Sequence, residues 1–173
     1  EKAFGKVAFA PGVPLIDGMR IPVPRSYLHP AADSAEPGLK GEYFDNTTFD
    51  GAPKLTRVDP VINFDFYHTA PGGFKPLGWA VRWTGVIAPP APGTYKLNFR
   101  MVTPKPGQPV PNVKVWVDDK LTVSPELAGV VKGPVASCNS GMCAQPPAAA
   151  IEVAFADTKP HTVRIEYVRT TDD

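Results

Sequence analysis

The 173-residue sequence has no apolar run approaching the roughly 20 residues that a membrane-spanning helix requires. No stretch keeps a 3.6-residue hydrophobic period, which argues against a helical fold. Charge is never concentrated either. Eighteen basic against seventeen acidic side chains leave a formal charge of +1, without the basic footprint that nucleic-acid binding requires. Histidine is limited to His29, His68 and His161, and with no Gly-x-Ser-x-Gly turn no hydrolytic triad can be assembled. A phosphate-cradling glycine loop and an HExxH helix are missing too. The first residues, EKAFGKVAFAPG, show no signal-peptide pattern, so any targeting information is expected outside this sequence.

Cysteine is scarce. Cys138 and Cys143 enclose only Asn-Ser-Gly-Met, and two thiols without a nearby histidine supply half a zinc shell. A local disulfide staple in an oxidising compartment is favoured over two free thiols, and would restrict the unfolded chain by roughly 2 kcal/mol.

Proline, by contrast, is abundant. The 22 prolines are well over twice the average usage of about 5%, and proline is excluded from helix interiors and central strands. Short strands joined by many ordered loops follow, in one domain with an arm. Residues 1–37 read as that arm: GKVAFAPGVPLI could give one strand, and IPVPRSYLHPAADSAEPG an extended connector. INFDFY alternates with Ile62, Phe64 and Phe66 on one face, and AVRWTGVIA puts Val81 and Trp83 opposite Arg82. TYKLNFRMV, NVKVWV, KLTV, IEVAFA and HTVRIEYV complete seven or eight short strands, the pattern of a sandwich or barrel. Two long segments interrupt it, TPKPGQPVPN and the cysteine-bearing stretch after KLTV.

The adjacent acids Asp118 and Asp119, in VKVWVDDKLTV, invite a catalytic or calcium reading. Glycoside hydrolysis needs two carboxyls facing one sugar, and consecutive strand residues point to opposite faces. Asp45, Asp50, Asp59 and Glu166 are scattered. Asp45–Gly51 faintly resembles an EF-hand loop, but Thr47 and Phe49 stand where oxygen-rich ligands are needed and no helices flank it. Asn46-Thr47-Thr48 matches the N-glycosylation acceptor pattern. His161 opens a strand and reads as a strand-edge histidine. Among the tryptophans, Trp83 shares the Val81 face, Trp116 opposes Val113, Val115 and Val117, and Trp79 begins a strand.

Four separated blocks, GLKGEYFDNTTFDGAPKLTRVDPVINFDF, WAVRWTGVIAPPAPGTYKLNFR, VKVWVDDKLTV and KPHTVRIEYVR, resemble the PA14 domain in type and order over residues 38–169, leaving 170–173 as a tail. The resemblance implies an all-β antiparallel sandwich with a jelly-roll-like core, in which Trp79, Trp83 and Trp116 take core aromatic positions. KVAFAPGVPL in the arm resembles the strand and turn that precede a PA14 insertion in family 3 glycoside hydrolases of the β-glucosidase type. That likeness implies a module beside a host's catalytic domains, acting outside the cytoplasm, extracellular or periplasmic. The host family's catalytic carboxylates have no counterpart here, so the isolated chain is expected to be catalytically silent.

PA14 lectins hold calcium with an Asp-Asp pair in the loop before the strand matching VKVWV. Here TPKPGQPVPN carries no acid, which disfavours calcium, and Asp118-Asp119 match the family's hairpin turn instead. No cofactor is expected, and the expected partners are an oligosaccharide and the host's catalytic domains, not nucleic acid or membrane. Loops carry recognition on such scaffolds. The candidate ligand-binding residues are therefore Lys105 and Gln108 in the proline-rich loop and Asn139, Met142 and Gln145 in the cysteine loop.

Overall fold

The computed structural model describes residues 23–64, 66, 69–99, 112–123 and 149–170. The strands are β1 (Leu28–His29), β2 (Leu39–Phe44), β3 (Leu55–Asp59), β4 (Trp79–Ile87), β5 (Gly93–Phe99), β6 (Asn112–Val117), β7 (Lys120–Val123), β8 (Ala149–Phe155) and β9 (His161–Arg169). One antiparallel sheet has the order β3-β2-β4-β9-β6-β7, with β1 also on β4, and β5 pairs with β8 in a second sheet. The chain is an antiparallel β-sandwich, as the proline content and period-two runs predict. It changes sheets four times, between β4 and β5, β5 and β6, β7 and β8, and β8 and β9, the jelly-roll-like alternation expected.

Alternation explains the packing. β6 buries Val113, Val115 and Val117 and turns Lys114 and Trp116 outward. The core gathers Leu39, Tyr43, Trp79, Val81 and Trp83 from the large sheet, and Val153 and Phe155 face them from β8. β1 and β2 run along the same side of β4 in one direction, with residues 30–38 looping out between them. Gly38 N–H rejoins the ladder on Leu28 O at 2.7 Å. The end of the connector is thus part of the sheet. Gly85 sits opposite the gap, where a side chain would collide with the His29 carbonyl.

Two expectations need correction. The described part of INFDFY is not a strand: β3 stops at Asp59, residues 60–64 make no ladder pairing, and Phe66 lies in a turn. Its apolar residues do face one way, because Ile62, Phe64 and Phe66 lie against the core. Trp116 is not a core aromatic: its register places it on the outer face, with the Arg164 guanidinium 3.9 Å above its ring centroid.

The two ends of the sandwich differ. At one end lie Ile87, Gly93, Val117, Phe155 and His161, joined by residues 88–92, 118–119 and 156–160. At the other lie Phe44, Trp79, Phe99, Asn112, Ala149 and Arg169. Phe99 and Asn112 flank segment 100–111, and Val123 and Ala149 flank segment 124–148. Three of these four flanks, Phe99, Asn112 and Ala149, therefore lie at the Trp79 end, and β7 runs toward it.

Candidate functional site

Lys105, Gln108, Asn139, Met142 and Gln145, together with Cys138 and Cys143, lie outside the described residues, as does His68. Their flanking strands are described, and an aromatic floor packs around Trp79 and Trp83 in the same sandwich. Trp79 meets Phe66 edge-on at 4.9 Å and Tyr167 at 5.5 Å, and Phe74 at 6.1 Å. Phe64 stacks on Phe66 at 4.8 Å and on Trp83 at 5.7 Å. Large rings ordered by two torsions each give a stiff apolar foundation at little rotamer cost.

The loop joining β2 to β3 is fixed by its own side chains. Asn46 Oδ1 accepts from the N–H groups of Thr48 and Asp50, Asn46 Nδ2 donates to Asp50 O at 3.0 Å, and Thr48 Oγ1 donates to Asp50 Oδ2 at 2.6 Å. Asn46, Thr48 and Asp50 spend these oxygens on one another, which leaves fewer for a cation. The acceptor nitrogen of the Asn46 glycosylation pattern is likewise engaged. Lys54 ties this loop down through Asp45 at 2.8 Å and Gly73 O at 2.7 Å.

A buried carboxylate sits beneath the aromatic floor. Asp59 is 3% exposed; its Oδ2 accepts from the Tyr43 hydroxyl and from Trp83 Nε1 at 2.7 Å, and its Oδ1 from Arg57 Nε at 2.7 Å. Arg57 Nη2 also donates to the Tyr43 oxygen at 3.0 Å. Burial, then the hydrogen bond and charge of Asp59, push the Tyr43 phenol well above its ordinary value of 10.0. Gly41 makes room for this arrangement, since a Cβ there would stand 2.6 Å from Asp59 Oδ2. Among the described residues no buried polar atom of this cluster lacks a partner and no second carboxyl is paired with Asp59, so its contacts tie β2, β3 and β4 together.

At the opposite end, Asp118 and Asp119 form the two-residue turn between β6 and β7, with φ of 48° and 59°. Positive φ at both central positions is the primed hairpin geometry that matches strand twist. Asp118 does more than turn. Its Oδ1 accepts from Thr162 N at 3.0 Å and its Oδ2 lies 2.7 Å from His161 Nδ1. The His161 ring packs on Phe155 at 4.6 Å, and its Nε2 is 3.8 Å from Asp157 Oδ1. The strand-edge histidine thus clasps the β6–β7 turn through Nδ1, while its buried Nε2 makes no hydrogen bond among the described residues. In the sequence Asp59 is one of several scattered acids, and no motif marks Arg57, Lys114 or Arg164. The Arg57-x-Asp59 spacing was a visible cue, since it puts an opposite charge on the same strand face. Among the described residues no group of three or more His, Cys, Asp or Glu side chains could hold a metal ion.

A fold of this kind, with ends of unequal loop length, defines a β-sandwich module. The PA14 domain model matches residues 35–172, and the chain belongs to that family. Anti-sigma-I factor RsgI3 of Acetivibrio thermocellus is 35% identical over 89 residues, 50% of this chain and 12% of that protein. Among solved structures, an anti-sigma factor domain-containing protein superposes with a TM-score of 0.52 at 22% identity, covering 78% of this chain and 39% of that one. A β-glucosidase from Kluyveromyces marxianus superposes with a TM-score of 0.51 at 16% identity, covering 83% of this chain and 16% of the enzyme. The chain therefore spans well under half the length of each. At such identities the two structures share its fold.

Proposed function

We propose that this chain is a non-catalytic, carbohydrate-associated PA14 module of a family 3 β-glycosidase, acting outside the cytoplasm beside the active-site mouth. Its work is to shape which oligosaccharides enter, through segments 100–111 and 124–148. The observation that supports this reading is the asymmetry of the sandwich: the flanks of both long segments point to one end, the end where Trp79 packs with Phe66, Phe74 and Tyr167. Lys105, Gln108, Asn139, Met142 and Gln145 are the side chains assigned to contact sugar. The reading requires no calcium, in keeping with the self-paired side chains of the Asn46–Asp50 loop.

The test is made in the parent polypeptide. Exchanging residues 139–145 for a short Gly/Ser loop should change selectivity for oligosaccharide length while leaving turnover of a small aryl glycoside nearly unchanged, with or without a chelator. Equal effects on both substrates would refute the gatekeeping role. A second reading, an autonomous carbohydrate-binding module, is favoured by one observation, the outward-facing Trp116.

A further inference from the structure

Of the three tryptophans, Trp79 and Trp83 are buried at 0% and 2% exposure, and Trp116 alone faces outward. Its neighbours follow from register. Arg164 of β9 pairs with it on one side and Leu121 of β7 on the other. The row Leu121, Trp116, Arg164 thus crosses three strands, about 10 Å at the usual strand spacing. Leu121 is the exposed large hydrophobic among the described residues, at 40%. Lys114 stands two residues before Trp116 on the same face.

Charge distinguishes this patch from the rest of the outer face. Glu166, opposite Lys114 in register, is committed to Arg82 at 2.9 Å, and Glu42 to Lys40 at 2.7 Å. Lys114 and Arg164 have no acidic partner within ion-pair distance among the described residues. The indole holds Arg164 flat through a cation–π contact, which pre-orients its donor fork without neutralising it. An apolar strip edged by two cations without an ion-pair partner among the described residues fits a ligand that has both an apolar face and an anionic group. A pyranose ring bearing a carboxylate or sulfate has both.

We propose that Leu121, Trp116, Arg164 and Lys114 form a shallow platform for an anionic saccharide. The C–H face of the sugar lies on Leu121 and on the part of the Trp116 indole that Arg164 leaves uncovered, and its anionic group takes bidentate hydrogen bonds from Arg164 with Lys114 beside it. The platform is built on the sheet face from β6, β7 and β9, and none of its residues is among those assigned above to the oligosaccharide entrance. It deepens the reading of the chain as a carbohydrate-associated module and rests on that reading.

The experiment is titration calorimetry on the whole chain with oligogalacturonate, a sulfated glucan oligosaccharide and neutral gluco- and xylo-oligosaccharides, at low and moderate salt. The two anionic probes distinguish carboxylate from sulfate. At least one should bind, more weakly as salt rises, with a change in tryptophan emission. Arg164→Gln should weaken binding at least about tenfold, Lys114→Gln less, and Trp116→Ala about as much as Arg164→Gln. Arg164→Gln alters an exposed side chain, so it keeps the test sound if Trp116→Ala unfolds. Failure of both anionic probes to bind, or binding indifferent to Arg164→Gln, would overturn the platform. Neutral oligosaccharides binding as well as anionic ones would do the same. The entrance-shaping role stands or falls separately, on the 139–145 exchange.

Discussion

The two ends of this sandwich are held by different means. At the Trp79 end, rings from a strand, a connecting segment and a β9 side chain meet: Trp79, Phe66, Phe74 and Tyr167. At the His161 end the connections are short, and polar contacts stitch them: Asp118 to His161 and Thr162, and Asp157 to the backbone N–H of Lys159. Apolar burial is insensitive to the exact path of a loop, so an end built on it tolerates long segments of varied sequence. Turn hydrogen bonds demand particular residues at particular positions. The difference teaches where this fold can change its function without losing its frame.

Removing a ring from the first end should do the most damage. Trp79 is fully buried, and Trp79→Ala should cost about 3–5 kcal/mol of stability, measured by urea unfolding. A loss no larger than that of a single turn hydrogen bond would end the claim that apolar packing holds this end.

Next in size is the carboxylate beneath the floor. Asp59→Ala leaves the Tyr43 hydroxyl and Trp83 Nε1–H buried without their acceptor, and should cost about 2–4 kcal/mol. Alkali gives a second readout. The Tyr43 phenol is raised in the folded state, so its contribution is fully present below the ordinary phenol value of 10.0 and is lost as pH rises beyond it, when the unfolded chain ionises first. Ultraviolet titration should show this phenol un-ionised while the fold persists. In Asp59→Asn, where the charge and its pull are gone, it should ionise earlier.

Much of the frame was legible because period-two alternation reports burial directly: β4, β6 and β9 fall where the sequence alternates. INFDFY alternated as cleanly and its described part is not a strand, because alternation records which side chains are buried and not whether the backbone has a partner. Trp116 was read correctly from its own strand, as opposed to the valine face, and incorrectly from its family position. The Trp116–Arg164 contact joins residues of strands far apart in sequence, so it needed the β6–β9 register, which no local pattern supplies. Asp59 went unrecognised for the same reason, since Tyr43 and Trp83 reach it from β2 and β4.

At the stitched end, the aspartates of the β6–β7 turn should separate. Both sit at positive φ, but only Asp118 reaches across to β9. Asp119→Gly relieves the left-handed backbone and should stabilise by about 0.5–1 kcal/mol. Asp118→Gly gains the same relief and loses two hydrogen bonds, so it should destabilise by about 1 kcal/mol. Thermal unfolding at neutral pH compares them, and equal shifts would reduce the pair to a plain turn.

The smallest effect belongs to Asp157. The Lys159 backbone N–H, opposed slightly by desolvation and aided by the Lys159 and His161 charges, holds its carboxyl below the usual carboxylate value of 3.8. A depressed folded value means that the stability it contributes is present above the unfolded value and lost as pH falls through the folded one. Asp157→Asn should therefore flatten the acid limb of the stability profile slightly below about pH 4 and leave the alkaline limb alone. An acid limb unchanged in this variant would remove the Asp157 turn from the contacts that hold this end.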